Sequence, residues 1–423
     1  MKFQGPRGTQ DILPEAAAGW QALEDRARQV SARHGYREIR TPIFEATELF
    51  LRGVGETTDI VTKEMYTFAD KKGRSLTLRP EGTAGVMRSL VEHGLAQAGR
   101  IHRLWYLGPM FRYDRPQAGR YRQFHQWGAE CVGTENPNAD VEIILLLVDY
   151  LASFGLEKTK VLLNSVGHPG CRPAYAEKLR AYLAPYKDSL CGDCQMRFEK
   201  NPLRVLDCKV PHDKEVAQGI PSILDSLCDD CRTHFGAVQK GLDALGVVYE
   251  LDPRLVRGLD YYTRTAFEVH DLARGAQSAL GGGGRYDGLV EAIGGPAVPG
   301  VGFSAGLERI LNALEEQGKV PVAQADGVFV ARMGGEAVEQ AALALVRKLR
   351  QSLPVTFDFE STKSLGAQLK QADKLGARWA VILGEDELSA SEATVKDLKA
   401  GAQERVALAL LVDHLKTNWE SAR

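Results

Sequence analysis

A chain of 423 residues with 44% hydrophobic and 26% charged residues has the composition of a globular protein of two or three domains. Its formal charge of −2 excludes a global basic field, so any contact with nucleic acid must come from local patches. The seven cysteines are an odd number, which argues against a disulfide framework. The start, MKFQGPRGTQ, has no apolar leader core and no apolar run is long enough for a membrane span, so a cytoplasmic protein is expected.

The lead-in PRGTQDILP precedes a helix expected from Pro14 to His34, with Ala17, Trp20, Leu23, Ala27 and Val30 at helical spacing and Gly35 as its stop. REIRTPIFEATELF then reads as an extended segment broken by Pro42 and feeding a short helix. A proline there suits a sheet edge or a bend, and edges of this kind often meet a second subunit. Met65–Phe68 and Ser75–Arg79 read as a hairpin. It leads into LRPEGTAG, where Thr83 is expected to cap a helix starting near Ala84 and Glu81 lies just before the cap.

The stretch from Leu104 to Glu130 reads as two strands, Trp105 to Tyr113 and Arg120 to about Cys131, around a turn at Asp114–Gly119. Period-two alternation puts Phe124, Gln126, Gly128 and Glu130 on one face: an aromatic wall, an amide, a gap and a carboxylate. That face suits a small polar ligand, and Glu81 turned to the same cavity would give a cation or N–H donor two carboxylates. Arg112, Arg115, Arg120 and Arg122 crowd the hairpin. They point to an anionic partner, against the plainer reading of a solvated hairpin tip.

A helix at Asp140–Phe154 and a strand at Val161–Ser165 are followed, from His168 to about Leu245, by a polar helical segment. Its pairs Cys191-x-x-Cys194 and Cys228-x-x-Cys231 have zinc-knuckle spacing, which gives a structural zinc site at those four cysteines or, failing that, buried free thiols. VRGLDYYTRTAFEVH is strand-like and carries Arg257, Tyr261 and Tyr262. ALGGGGRYDGLV allows close approach to its backbone but is no Walker loop. GVGFSAGLERI fits a dinucleotide fingerprint by letter only. No apolar strand precedes it, so it reads as a glycine-lined strand feeding a helix with Glu308 and an Arg309 free to meet phosphate. After a linker, the last hundred residues alternate strand and helix. The expected elements are GVFVAR, helix Glu336–Ser352, VTFDF, helix Ser364–Leu375, WAVILG, ATVKDL and a helix from Arg405 to Trp419. Lys363, Lys370 and Lys374 there are weakly suggestive of a nucleic-acid surface.

These segments together resemble the histidyl-tRNA synthetase family of bacterial type, among the class II aminoacyl-tRNA synthetases. REIRTPIFEATELF is similar to motif 1, FRYDRPQAGRYRQFHQWGAE to motif 2 and GVGFSAGLERI to motif 3, while RGLDYYTRTAFE and ALGGGGRYDGL are similar to the two signatures of the histidine enzyme. The resemblance covers nearly the whole chain. It implies an α+β catalytic core on a mixed, mainly antiparallel sheet (1–167 and 246–318), interrupted by a helical insertion (168–245). A linker (319–326) and a C-terminal α/β anticodon-binding domain (327–423) would follow.

The activity implied is ligation of L-histidine to tRNA(His), through ATP-dependent histidyl-adenylate formation and transfer to the 3′-terminal adenosine, by a homodimer using ATP with Mg2+. By resemblance, Arg112 and Arg257 are the catalytic arginines, and Glu81, Gly82, Thr83, Arg112, Gln126, Glu130, Arg257, Tyr261 and Tyr262 bind histidine. Arg112, Glu308 and Arg309 bind ATP, and Arg115, Gln117, Arg120 and Arg122 meet the tRNA acceptor end. Zinc is not part of what the resemblance implies; only the chain's own CxxC pairs argue for it. The alternative is a non-catalytic paralogue serving as regulatory subunit of ATP phosphoribosyltransferase. The α/β tail and the retained Arg112, Arg257 and Arg309 weigh against it.

Overall fold

The computed structural model describes residues 3–55, 58–97, 99–115, 119–156, 158–256, 259–273, 279–321, 327–359 and 363–421. It divides into two compact units, Met1–Pro321 and Val322–Arg423. Most of the linker expected at 319–326 falls outside the described residues.

The first unit is organised on an eight-stranded sheet. Its strands run in the order Arg37–Glu38, His102–Phe111, Gln123–Val132, Gly300–Gly306, Ala279–Arg285, Thr263–Asp271, Thr159–Ser165 and Tyr249–Leu251. Only the outermost pair at each end is parallel; every pairing between them is antiparallel. The sheet is therefore mixed and mainly antiparallel, as expected for an α+β core.

Alternation along Gln123–Val132 divides the chemistry between the two faces. Trp127, Ala129 and Cys131 join the apolar core under the helices Pro14–Arg33, Pro137–Ala152 and Leu307–Glu316. Trp127 is fully buried, 4.3 Å from the Tyr150 ring and edge-on to Phe303 at 4.9 Å. The Pro14–Arg33 helix has its proline in the first turn, buries Trp20, Leu23, Ala27 and Val30, and ends before Gly35 at φ 75°. A fully buried Arg285 locks the glycine-rich strand to the Pro137–Ala152 helix, with Nε 3.2 Å from Asp140 and Nη1 2.9 Å from the Thr134 carbonyl. Phe44–Ala46, Ser75–Leu78 and Tyr66–Ala69 form a separate three-stranded sheet, and Ile43 and Phe44 are exposed.

Between the Thr159–Ser165 and Tyr249–Leu251 strands the chain leaves the sheet for short helices and turns. This segment has no large core of its own. Leu183, Phe198 and Val205 gather around Cys194 and Cys208, while Tyr175, Leu179 and Ile223 gather around Cys171 and Cys231.

The second unit holds a five-stranded sheet. Val355–Phe357, Val328–Met333 and Trp379–Gly384 are parallel, and Glu392–Asp397 and Gln403–Ala407 continue antiparallel. The helix expected from Arg405 is corrected here: Gln403–Ala407 is a strand, and the helix is Leu411–Ser421. The Asp397 carboxylate accepts from the backbone N–H groups of Lys399 and Ala400, each at 2.8 Å, and Gly401 turns back at φ 74°. That turn returns the chain along an open strand edge, and pairing overrides helix propensity. No helix among the described residues is long and apolar enough to cross a membrane.

Candidate active site

The face of Gln123–Val132 opposite Trp127 looks into a cleft of about 350 Å³. Its floor is made by strands with no side chain to fill it: Gly281, Gly282, Gly302 and Gly306. Glu81 and Thr83 border one end. Arg112, Phe124 and Gln126 come from the hairpin, Tyr261 and Tyr262 from the opposite wall, and Glu308 and Arg309 from the start of the Leu307–Glu316 helix.

Thr83 is not the helix cap. The helix begins at Thr83 itself, and the Glu81 carboxylate takes two of its free backbone N–H groups, Thr83 at 2.7 Å and Ala84 at 2.9 Å. The Thr83 hydroxyl is thereby released to donate to Glu130 Oε1 at 2.7 Å. Burial pushes the Glu81 carboxyl up despite those two N–H bonds.

Glu130 lies just under the cleft rather than on its wall, fully buried, with Thr83 and Tyr286 donating to its two oxygens. Burial pushes it up to about 8, against the hydrogen bonds from Tyr286 and Thr83 and with help from Glu81. Its pocket exists because Gly302 lies opposite Glu130 in the sheet: a Cβ at Gly302 would sit 1.7 Å from Glu130 Oε2. A Cβ at Gly128 or at Gly82 would strike the Tyr106 ring end, at 2.4 and 2.2 Å. The gap read at Gly128 is filled by Tyr106 of the neighbouring strand. Gln126 faces the cleft, buried, with its Oε1 lacking any hydrogen-bond partner among the described residues.

Arg112 is half-buried, holds the Pro80 carbonyl at 2.8 Å through Nε and lies 5.4 Å from the Phe124 ring centroid. Burial lowers its pKa, with Glu64 and Glu81 opposing. Arg309 lines the cleft but is not free: Nη1 donates to the Ala279 carbonyl at 2.9 Å. Glu308 accepts the His125 backbone N–H on both oxygens, at 2.8 and 3.0 Å, and so ties the hairpin to the glycine strand's helix.

Of the hairpin-tip arginines, Arg120 reaches the cleft and pairs with Asp114 at 3.1 Å; Arg122 lies over the Tyr113 ring at 3.9 Å, and Arg115 is exposed. Arg257 and Gln117 lie outside the described residues.

The sequence reasoning passed over Tyr106 and Tyr286, which surround Glu130, and Arg204, Asp207 and Lys209, which bring the inserted segment to the cleft. Tyr286 stood within the GGGGRYDG stretch singled out for its glycines. The insertion residues carried no local signal.

The single zinc site expected at Cys191, Cys194, Cys228 and Cys231 is overturned in its grouping. The two pairs belong to different clusters, one of Cys191, Cys194, Cys208 and Asp213 and one of His168, Cys171, Cys228 and Cys231. Each CxxC spans one helical turn, and the folding of the segment brings it other partners.

A family model described as histidyl-tRNA synthetase matches residues 8–180 and 212–310, and one described as anticodon binding domain matches 327–418. The chain is 54% identical over 417 residues to the histidine–tRNA ligase of Moorella thermoacetica, covering 98% of each protein. It is 53% identical over 413 residues to that of Desulforamulus reducens, covering 97% of this chain and 98% of that protein. Its fold is similar to the apo histidyl-tRNA synthetase of S. aureus, with TM-score 0.83, 39% identity, and 98% of this chain and all of that one covered.

Proposed function

The chain belongs to the histidyl-tRNA synthetase family, and we propose that the cleft on its sheet activates histidine with ATP before charging tRNA(His). As a histidine–tRNA ligase it works in two steps. The histidine carboxylate attacks the α-phosphorus of ATP, pyrophosphate leaves, and the terminal ribose 3′ hydroxyl of tRNA then displaces AMP from the adenylate. No protein nucleophile is required, so the residues act by positioning and by charge.

The observation that carries the choice of substrate is the Gln126–Glu130 pair. A buried amide oxygen with no partner among the described residues asks for a ligand N–H, and four residues along the same strand the buried Glu130, held by Thr83 and Tyr286 just under the cleft, favours a cationic group above it. Imidazole and α-amino groups supply both. An amino acid whose side chain lacks such a donor would leave Gln126 unpaired, a basis for discrimination of ~10⁴ or more without editing. Tyr261, Tyr262 and Thr83 would close around the amino acid, and Gly82 leaves room for Tyr106 behind them.

Arg112 would hold the α-phosphate and Arg309 the γ-phosphate, exchanging its bond to the Ala279 carbonyl for the nucleotide. Mg2+ enters with ATP as its complex, and Glu308 contributes to the nucleotide end of the cleft. Arg257, in the RGLDYYT stretch similar to a signature of the histidine enzyme, would stabilise charge between the substrate carboxylate and the α-phosphate. Arg115, Gln117, Arg120 and Arg122 would meet the acceptor end. The exposed Ile43 and Phe44, at the edge similar to motif 1, support a homodimer, and tRNA charging supports a cytoplasmic location. The regulatory-subunit alternative is not favoured, given full-length identity to ligases and the matched anticodon-binding domain.

Histidine-dependent ATP–pyrophosphate exchange, with the other amino acids as controls, tests the proposal. Exchange with histidine alone is expected. No exchange from folded protein, or equal exchange with another amino acid, would overturn it.

A further inference from the structure

The inserted segment collects six of the chain's seven cysteines, and they fall into two groups rather than one. In the first group His168 Nδ1 lies 3.0 Å from Cys171 Sγ, 3.4 Å from Cys231 Sγ and 3.9 Å from Cys228 Sγ, with Cys171 and Cys231 Sγ 3.7 Å apart. In the second, Cys191 and Cys208 Sγ are 3.8 Å apart, and Asp213 Oδ2 is 3.2 Å from Cys208 Sγ. All four ligand atoms in each group lie within 4.8 Å of one another. A tetrahedral zinc with Zn–S of about 2.3 Å and Zn–N of about 2.0 Å sets S···S edges of about 3.8 Å and S···N edges of about 3.5 Å; the S···S distances of 3.7 and 3.8 Å match the first, and the N···S distances of 3.0, 3.4 and 3.9 Å bracket the second.

Two further features single these groups out from ordinary buried thiols. Backbone N–H groups point at the sulfurs: Cys228 N to Cys171 Sγ at 3.4 Å, Cys231 N to Cys228 Sγ at 3.5 Å and Val210 N to Cys208 Sγ at 3.4 Å. Such donors orient thiolate ligands. Asp213 is fully buried among the three thiols, and among the described residues it has no ion pair; a carboxylate in that position needs a cation.

We propose that the insertion holds two separate structural zinc ions, one on His168, Cys171, Cys228 and Cys231 and one on Cys191, Cys194, Cys208 and Asp213. Soft sulfur ligands with one imidazole or one carboxylate select zinc over magnesium or calcium. Both sites are four-coordinate and closed, so the ions are structural. With three thiolates each, the first site would carry a net charge of −1 and the second −2. Arg172 acts electrostatically on the first group's sulfurs and Arg197 on the second's, which offsets that excess.

The placement links both nodes to the cleft. Arg172, next to Cys171, donates to the Tyr262 carbonyl, and Cys208 lies between Asp207 and Lys209, which line the cleft. Cys191, Cys194 and Cys208 lie in 181–211, which the family model leaves unmatched, whereas Asp213 and the whole first node lie in matched residues.

The test is metal content of the full chain purified under reducing conditions without chelator, read by elemental mass spectrometry. Two zinc ions per chain are expected, falling to one in Cys228→Ser/Cys231→Ser and to one in Cys191→Ser/Cys208→Ser. Cobalt in place of zinc should give the intense visible bands of tetrahedral thiolate sites, and His168→Cys should keep both metals while shifting only the first site's bands. Wild-type protein that holds no zinc even after zinc addition overturns the proposal. So does loss of both ions in one folded double variant, retention of both in either, or an unchanged cobalt spectrum in His168→Cys. None of these readings depends on amino-acid activation, so they are independent of the exchange assay.

Discussion

The catalytic sheet and the segment inserted into it solve the same problem of cohesion in opposite ways. The sheet buries a continuous apolar core from Trp20 through Trp127 and Leu146 to Phe303, and its polar chemistry sits on the other face. The insertion lends Phe235, Val238 and Leu242 to that core, but the rest of it has two small clusters, each built around cysteines. Apolar burial of that size rarely holds a fold by itself. Even so, the insertion reaches the cleft through Arg204, which pairs with Asp260 at 2.9 Å, and through Arg197, 3.3 Å from Asp59. Rigidity at the site is thus supplied by packing on one side and by local nodes on the other.

The largest effect that sharpens this contrast is in the sheet. Trp127→Ala removes a fully buried side chain wedged between Tyr150 and Phe303 and is expected to cost ~3–5 kcal/mol of global stability, measured by denaturant unfolding. A cost below ~1 kcal/mol would mean that the sheet's core is not what holds the first unit. Next comes Gly302→Ala. Its Cβ would collide with Glu130, so histidine-dependent exchange should fall by roughly 10²–10³-fold from misplacement of the pocket. Near-normal exchange in that variant would separate Glu130 from catalysis.

These two residues also mark how far the sequence could be read. The hairpin, its alternation and the glycine-lined strands follow from period-two patterning and turn residues, so Gln126 and Glu130 could be placed on one face from sequence alone. What the glycines make room for could not be read, because the atoms that fill their space come from distant strands. Gly128 and Gly82 serve Tyr106, and Gly302 serves Glu130. Sequence alone points to Thr83 as the cap because a hydroxyl at a helix start is the usual local solution. Glu81 takes that role only because Thr83 has a partner 47 residues away. The cysteines failed in the same manner: spacing shows which pairs share a turn of helix, but tertiary folding decides that Cys208 and Asp213 join one pair and His168 and Cys171 the other.

A middle-sized effect would break the comparison from the insertion's side. Stripping metal with a strong chelator should raise amide hydrogen exchange across 168–245 by ~10²-fold or more while changing the Gln123–Val132 strand by less than about twofold. Uniform deprotection of both regions would show that the nodes support the whole unit rather than the insertion alone.

The smallest expected effect is a slope in pH, and it returns to the sheet. Burial pushes Glu130 up to about 8, so below that pH the unliganded site holds its carboxyl protonated. An entering N–H donor or ammonium group favours the carboxylate, and binding must then release a proton. The apparent KM for histidine should therefore fall as pH rises, by up to tenfold per unit between about 7 and 8, and flatten above it. The substrate's own imidazole titrates lower, at about 6.5, and loss of its α-ammonium proton at higher pH would weaken binding, the opposite slope. Glu130→Gln keeps the side-chain shape beneath Gly302 but cannot titrate, so it should raise KM and abolish the slope between pH 7 and 8. Persistence of the same slope in that variant would assign the proton to another group, Glu81 being the nearest buried carboxyl that burial also pushes up.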